Sequence, residues 1–355
     1  MDALELSSFC SEYVAANVKK STLIQIRTQT GHLARYLQAQ NGKAYKPTTA
    51  DLCATTIEAA ASWLAGHPLP GRRPWAHDTV AKFKRTIRAI WERANQLGFA
   101  EPAVKLSKPP RVKHERASWT KEELAKLFGG VSLLPGQIGD HAAAVWCEAY
   151  LRWIYNAGAR HDESMKLCRS DFDLEARICR IPGRCRKNGK THRVRLWPGT
   201  VDALRKIWGP ERDAEVFADW TWDRGGDGWP AQDRLLRKVI VLAGLRGSVD
   251  LANAVAAGGF KPGAGRELQT ELKAAVPSVD LFHKLRRSRA THYYIQTGDL
   301  ERVKRLLDHS DLSVTRGYID WGQVDAAQDG DDDSDDPVPR SIESPRLFDL
   351  EEDAA

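Results

Sequence analysis

The chain has 355 residues, 42% of them hydrophobic and 28% charged, with a formal net charge of +6. That length exceeds what one ordinary core organises, so two domains are expected. No apolar run approaches the roughly 20 residues of a membrane span and no basic-then-apolar leader opens the chain, which excludes a membrane or secreted protein and points to the cytoplasm, nucleoid-associated.

Charge is unevenly spread. Residues 325–355 hold 12 acids and 2 bases, so residues 1–324 carry +16. A basic body favours an anionic polymer through phosphate contacts and counterion release, although a solvated basic surface has the same composition. The cysteines are scattered without a C-x-x-C pair, which reads as packing thiols rather than a disulfide framework or a zinc site; no metal and no cofactor is expected.

In chain order, residues 1–100 read as helices. A helix near 4–17 precedes one that Ser21 is placed to cap and that runs to about residue 39. Thr56 is placed to cap a short helix through Leu64, and Pro68, Pro70, Gly71 and Pro74 make a loop. Asp78 opens the clearest helix, where Val80, Phe83, Ile87, Ile90, Trp91, Ala94 and Leu97 form one apolar stripe at helical spacing. Lys82, Lys84, Arg85 and Arg88 gather off that stripe, as on a helix that reads the major groove or on an ordinary solvated face. The segment EPAVKLSKPPRVKHER at 101–116 is proline-broken and basic (Lys108, Arg111 and Lys113 among its bases), a linker suited to strap DNA or simply to join domains.

The second domain opens on Thr120 and Glu123 as a capping box, with Trp119 and Leu124 as a hydrophobic staple. A helix over about 141–157 ends at Gly158, a natural left-handed cap, and a short helix follows Arg160. Residues 178–182 and 192–196 flank Asn188-Gly189 as a hairpin. Helices are expected near 199–208, 232–244, 284–296 and 299–307. The tryptophan-rich stretch 215–230 reads as a packed loop, and the Gly/Ala-rich stretch 246–280 as an insertion of unassigned role. The fold class is mainly α: a helical bundle, then a mixed α+β domain of helices with a small antiparallel sheet, then an acidic tail expected to be disordered.

Certain residues carry chemistry. GARHDES at 158–164 contains Gly158, Arg160 and Glu163; Lys187 precedes Asn188-Gly189; HKLR at 283–286 supplies His283 and Arg286; and His309 stands nine residues before Tyr318. In this order and spacing they resemble the tyrosine recombinase (phage integrase) family over most of the chain. The resemblance implies domains at 1–103 (core-binding, SAM-like helical bundle), 104–117 (basic linker), 118–324 (catalytic) and 325–355 (acidic tail). It also implies a helical bundle that clamps duplex DNA, and favours the groove-reading view of Lys82, Lys84, Arg85 and Arg88.

The residue types suit phosphodiester chemistry. Arg160 and Arg286 would grip nonbridging oxygens with guanidinium forks that stay charged at working pH. Tyr318 would be the nucleophile; its phenol, with a pKa near ~10, needs a base, for which His283 is suited. By the family's pattern His309 would hydrogen-bond a nonbridging oxygen and Lys187 would protonate the leaving 5′ oxygen, with Lys190 its competitor. The expected function is site-specific recombination of double-stranded DNA through a 3′-phosphotyrosine, without metal or ATP, by a homo-tetramer on paired sites, with accessory DNA-bending proteins as candidate partners. Alternatives are a type IB topoisomerase and a DNA-binding protein that no longer cleaves. Two features depart from the family: Asp308 where glycine is common before the histidine, and Arg287 and Arg289 following the H-x-x-R box. The tail, with Leu347, Phe348 and Leu350, is expected to mask a basic surface, to dock on a neighbour, or only to solubilise the chain.

Overall fold

The structure is a computed structural model, and it describes all residues except 1–2, 16–17, 70–73, 110–116, 187, 212, 218–227, 259–265, 277–280 and 330–355. The chain divides into two compact units, Met1–His114 and Glu115–Ala355.

In the first unit a helical turn at Leu6–Phe9 leads to α1 (Lys20–Asn41), α2 (Ala54–Gly66) and α3 (His77–Gln96). The apolar stripe of α3 is its buried face: Phe83, Ile87, Ile90, Trp91 and Ala94 meet Ile57, Ala60, Ala61 and Leu64 of α2, and Ile26, Leu33 and Leu37 of α1. Each such aliphatic or aromatic side chain contributes about 1.5–3 kcal/mol on burial, which outweighs the modest helix propensity of the β-branched and aromatic members. Helix starts differ slightly from the sequence expectation. Lys19 and Cys53, not Ser21 and Thr56, occupy the cap positions of α1 and α2.

Lys84 is not on the outer face of α3. It is 8% exposed, ion-paired to Glu58, and donates to Ser107 Oγ at 2.8 Å. Lys84 lies two helical turns before the buried Trp91, on the flank of the apolar stripe rather than opposite it. The linker expected from residue 104 begins later, since Leu106 is buried in this unit's core and Ser107 N donates to Glu58 at 2.6 Å.

The second unit is built on α5 (Ala143–Ala157), which is buried on nearly every side through Trp146, Tyr150, Leu151, Trp153 and Ile154. Before it, α4 (Lys121–Ser132) opens on the expected capping box, with Thr120 accepting from Glu123 N and the Glu123 carboxylate accepting from Thr120 N. After it come α6 (His161–Ser164) and an antiparallel sheet of β1 (Phe172–Asp173), β2 (Ile178–Ile181) and β3 (His192–Arg195), in that order. Cys179 faces Val194 in the β2–β3 register and both are buried, while Arg180 and Arg193 pair on the outer face. The first strand was not anticipated, because two residues offer no alternation to read.

Beyond the sheet lie α7 (Pro198–Arg205) and α8 (Gly228–Leu242). The 246–280 insertion is not a plain loop. It contains α9 (Val249–Gly258) and α10 (Arg266–Ala275), whose Leu251, Val255 and Leu272 join the main core. The packed-loop expectation for 215–230 falls mostly outside the described residues, though Trp229 lies within α8. Helices α11 (Leu281–Thr297), α12 (Leu300–Leu307), α13 (Leu312–Arg316) and α14 (Trp321–Asp329) complete the unit. The tail boundary expected at residue 325 falls inside α14, where Val324 is 4% exposed. All six cysteines are free thiols, and among the described residues no helix is long and apolar enough to cross a membrane.

Candidate active site

The site is assembled from helix ends. Helix α5 stops because Gly158 takes the left-handed conformation at φ +55°, and a Cβ there would come within 2.8 Å of Leu307 Cδ2. Glycine thus both ends the helix and lets the C-terminus of α12 approach. Helix α12 ends on Asp308, also left-handed at φ +48°, a conformation that Asp tolerates better than most non-glycine residues.

Ends of helices leave carbonyls without intrahelical partners, and Arg286 of α11 fills two of them. Its Nη1 donates to Gly158 O, its Nη2 donates to Leu307 O at 2.8 Å, and the same Nη2 lies 3.0 Å from His309 Nε2. The residue is 2% exposed. Its guanidinium carbon sits 5.4 Å from the centre of the Tyr318 ring, and the His309 and Tyr318 rings are 4.8 Å apart. Burial pushes the Arg286 pKa down to about 10 and Arg160 pushes in the same direction, against Tyr318 and Glu163. The guanidinium therefore remains charged at neutral pH.

His309 is 7% exposed, and burial followed by Arg286 and Arg160 lowers its pKa to about 3, so the imidazole is neutral. Its tautomer follows from its neighbours. Nε2 faces an arginine N–H and must accept; Nδ1 therefore carries the proton, donated to Thr315 Oγ1 at 3.1 Å, while the threonine hydroxyl turns toward Asp311 O at 3.4 Å. In this arrangement Nε2 of His309 is engaged by Arg286 and carries no proton.

Arg160, at the start of α6, is 36% exposed in its side chain and is held by Glu163 at 2.8 Å. Its charge acts on both Arg286 and His309, lowering the pKa of each. Tyr318 follows α13 in a turn, with its N–H on Thr315 O at 2.9 Å. The next residues anchor it: Ile319 is buried, Asp320 N donates to Thr291 Oγ1 at 3.0 Å, and Asp320 Oδ2 accepts from Ser118 N at 2.7 Å. His283 stands one turn before Arg286 on α11, half-buried. Lys187 lies outside the described residues; Lys190 is exposed in the same hairpin.

Three residues that the sequence reading did not assign bind this set together: Arg186, Asn188 and Asp308. The Arg186 side chain is 2% exposed; it ion-pairs with Asp308 and lies 3.8 Å from Glu163. Asn188 Nδ2 donates to Asp308 Oδ2 at 2.8 Å. A non-glycine residue where the family has glycine was the available signal. Arg289 is also occupied, stacked 4.7 Å from Trp197 and 4.9 Å from Tyr293. Among the described residues no group of three or more His, Cys, Asp or Glu side chains is arranged to hold a metal ion.

Of the candidate DNA contacts, Lys82, Arg85 and Lys108 are exposed, Arg88 is half-exposed and paired with Glu92 at 2.9 Å, and Arg111 and Lys113 lie outside the described residues.

No family model matches the chain. Tyrosine recombinase XerC of Stutzerimonas stutzeri (strain A1501) is 27% identical over 242 residues, covering 68% of each chain. Tyrosine recombinase XerC of Pseudomonas putida (strain W619) is 26% identical over 264 residues, 71% of this chain and 73% of that one. A lambda integrase dimer bound to a core site matches 91% of this chain and 97% of that one, with a TM-score of 0.58 at 15% identity. XerH bound to a palindromic difH substrate matches 91% and 83%, with a TM-score of 0.58 at 17% identity. The fold, a mainly helical catalytic unit with a small antiparallel sheet, is thus that of the tyrosine recombinases and integrases. The sequence relatives that the chain resembles over about two thirds of its length are likewise tyrosine recombinases.

Proposed function

We propose that the protein is a site-specific recombinase that cleaves and rejoins double-stranded DNA through a 3′-phosphotyrosyl link to Tyr318. The reading rests on one observation above all: the Arg286 guanidinium, the His309 imidazole and the Tyr318 ring lie against one another at the junction of three helix ends.

Each step follows from the residues. Arg160 and Arg286 carry fixed positive charge toward the two nonbridging oxygens, where charge builds as phosphorus becomes five-coordinate; losing one such donor costs on the order of 3 kcal/mol in the barrier. Arg286 is poised for this by carbonyls and by a neutral imidazole, which orient its fork without cancelling its charge. Tyr318 Oη forms a bond to phosphorus as the bond to the 5′ oxygen breaks. The phenolic proton passes to His283, and the departing oxygen takes a proton from Lys187. The phosphotyrosyl bond keeps the energy of the phosphodiester, so rejoining by a 5′-hydroxyl consumes no ATP, and the guanidinium pair supplies the charge that a metal would otherwise bring.

Lys82, Arg85, Arg88 and Lys108 are the proposed duplex contacts, and Lys84 is not among them. The XerH complex with difH and the lambda integrase complex with a core site support duplex DNA as the substrate class. A homo-tetramer on two paired sites, helped by DNA-bending partners and working on the nucleoid, is the assembly this reaction uses.

The test is a nicked suicide duplex carrying sites taken from the DNA flanking the gene, in which the short leaving fragment diffuses away and traps the covalent complex. Tyr318→Phe is expected to abolish the adduct on denaturing gels while leaving duplex affinity nearly unchanged. A surviving adduct would mean another nucleophile, and relaxation of any supercoiled plasmid without site preference would turn the reading toward a topoisomerase.

A further inference from the structure

Asp308 is in an unusual position for its type. It occupies a left-handed backbone conformation at φ +48° and ψ +54°, the place where helices are most often ended by glycine, and so carries a conformational cost that a glycine would avoid. Its carboxylate takes two donors from the turn between β2 and β3: the guanidinium of Arg186, and Asn188 Nδ2 at 2.8 Å. Those two residues flank Lys187 in the chain.

The same guanidinium reaches in other directions. Arg186 Nη1 donates to Lys190 O at 3.2 Å, and its Nε lies 3.8 Å from Glu163 Oε1, the oxygen that also holds Arg160 at 2.8 Å. Asn188 Oδ1 accepts from Lys190 N at 3.2 Å, which shapes the turn from the inside. One chain of charge-assisted contacts therefore runs from Arg160 through Glu163 and Arg186 to Asp308, one residue from His309. Burial disfavours the Asp308 charge, but Asn188 and Arg186 more than offset it and hold the carboxyl below its ordinary range. Arg186 is almost fully buried, so its charge has to be met by these acids rather than by water.

We propose that Asp308 is a positioning residue, tying Arg186 and Asn188, the two chain neighbours of the proposed general acid, to the helix end that precedes His309. The inference rests on the recombinase reading above. It explains the replacement of the family's glycine: the backbone cost at residue 308 is met by fixing a turn that would otherwise hang from two four-residue strands.

The test separates the clamp from the site it serves. Asp308→Gly removes the carboxylate and leaves a residue at ease in the left-handed conformation, so the helix end is retained. Two readouts are used. Amide hydrogen exchange on the protein alone should rise over residues 186–190 and stay unchanged in α5 and α11. Cleavage is then compared on two nicked duplexes bearing the site that the wild-type protein captures covalently from a random-sequence pool: one with the natural 5′ oxygen at the scissile bond, one with sulfur in its place. A thiolate leaves without a proton, so it bypasses the general acid. Asp308→Gly is expected to slow cleavage of the oxygen substrate about 10- to 100-fold and to restore most of that loss on the sulfur substrate. Lys187→Ala serves as the reference for a lost acid. Equal losses on both substrates would overturn the proposal, because Asp308 would then act through His309 or Arg286. Unchanged exchange at 186–190 would overturn it as well. If the wild-type protein captures no duplex while exchange responds as expected, the recombinase reading falls and the clamp stands as a tie between hairpin and helix end.

Discussion

At the scale of single residues, burial lowers the pKa of three histidines of the second unit, His192, His292 and His309. His309 is the clearest functional case, but His292 gives a cleaner test because it lies outside the reacting cluster. It is 8% exposed, its Nδ1 is 2.8 Å from Tyr155 Oη, and burial, then Lys121 and Arg289, lowers its pKa to about 4. A histidine whose folded pKa lies below its unfolded value of about 6.5 binds its proton more readily when unfolded. Its contribution to stability is therefore complete above pH ~6.5 and is lost as pH falls toward ~4, to an extent on the order of 3 kcal/mol. Urea midpoints should decline across that window, and the decline should be shallower in His292→Gln. A slope identical to that of the unaltered protein would mean that His292 binds its proton equally well in the folded and unfolded chain.

At the scale of elements, the site depends on how closely two helix termini meet. Gly158 needs both its positive φ and the space a Cβ would fill, 2.8 Å from Leu307 Cδ2. Gly158→Ala is expected to cost about 1–3 kcal/mol, from backbone strain and from pushing α12 outward. Since Gly158 O and Leu307 O both receive Arg286, the displacement should also lower cleavage more than binding. Thermal denaturation gives the first quantity, and the rate of suicide adduct formation at saturating DNA the second. Unaltered melting and cleavage would show that α12 yields without effect on Arg286.

At the scale of the whole molecule, the charge division is the feature with a solution consequence. Removing the residues after Asp329, rather than after 324, keeps α14 and its buried Val324 intact. If the acidic segment masks the basic body, its loss should raise affinity for arbitrary duplex DNA several-fold at low salt, with the two proteins converging as salt screens the charge. Equal affinities at every salt concentration would leave the segment a solubilising role only.

Much of this protein was legible in its sequence. The stripe of α3, the capping box at Thr120, the glycine that ends α5 and the hairpin around Asn188-Gly189 are local signals, since periodicity, capping and left-handed turns are set by residues within a few positions of each other. The spacing of Arg160, His283, Arg286, His309 and Tyr318 suggests phosphodiester chemistry, which the proposed function takes up. What only the tertiary structure decided was which charges meet. Lys84 reads as a surface base yet is paired with Glu58, 26 residues away in the chain; Asp308 reads as an anomaly yet receives Asn188 from 120 residues away. The helices α9 and α10 within the insertion escaped notice for a related reason: each is only ten residues long, and helices that short are stabilised chiefly by what they pack on. Charge partners are chosen by where separate segments come to rest, and that depends on the sum of packing over the whole unit, which no window of neighbouring residues contains.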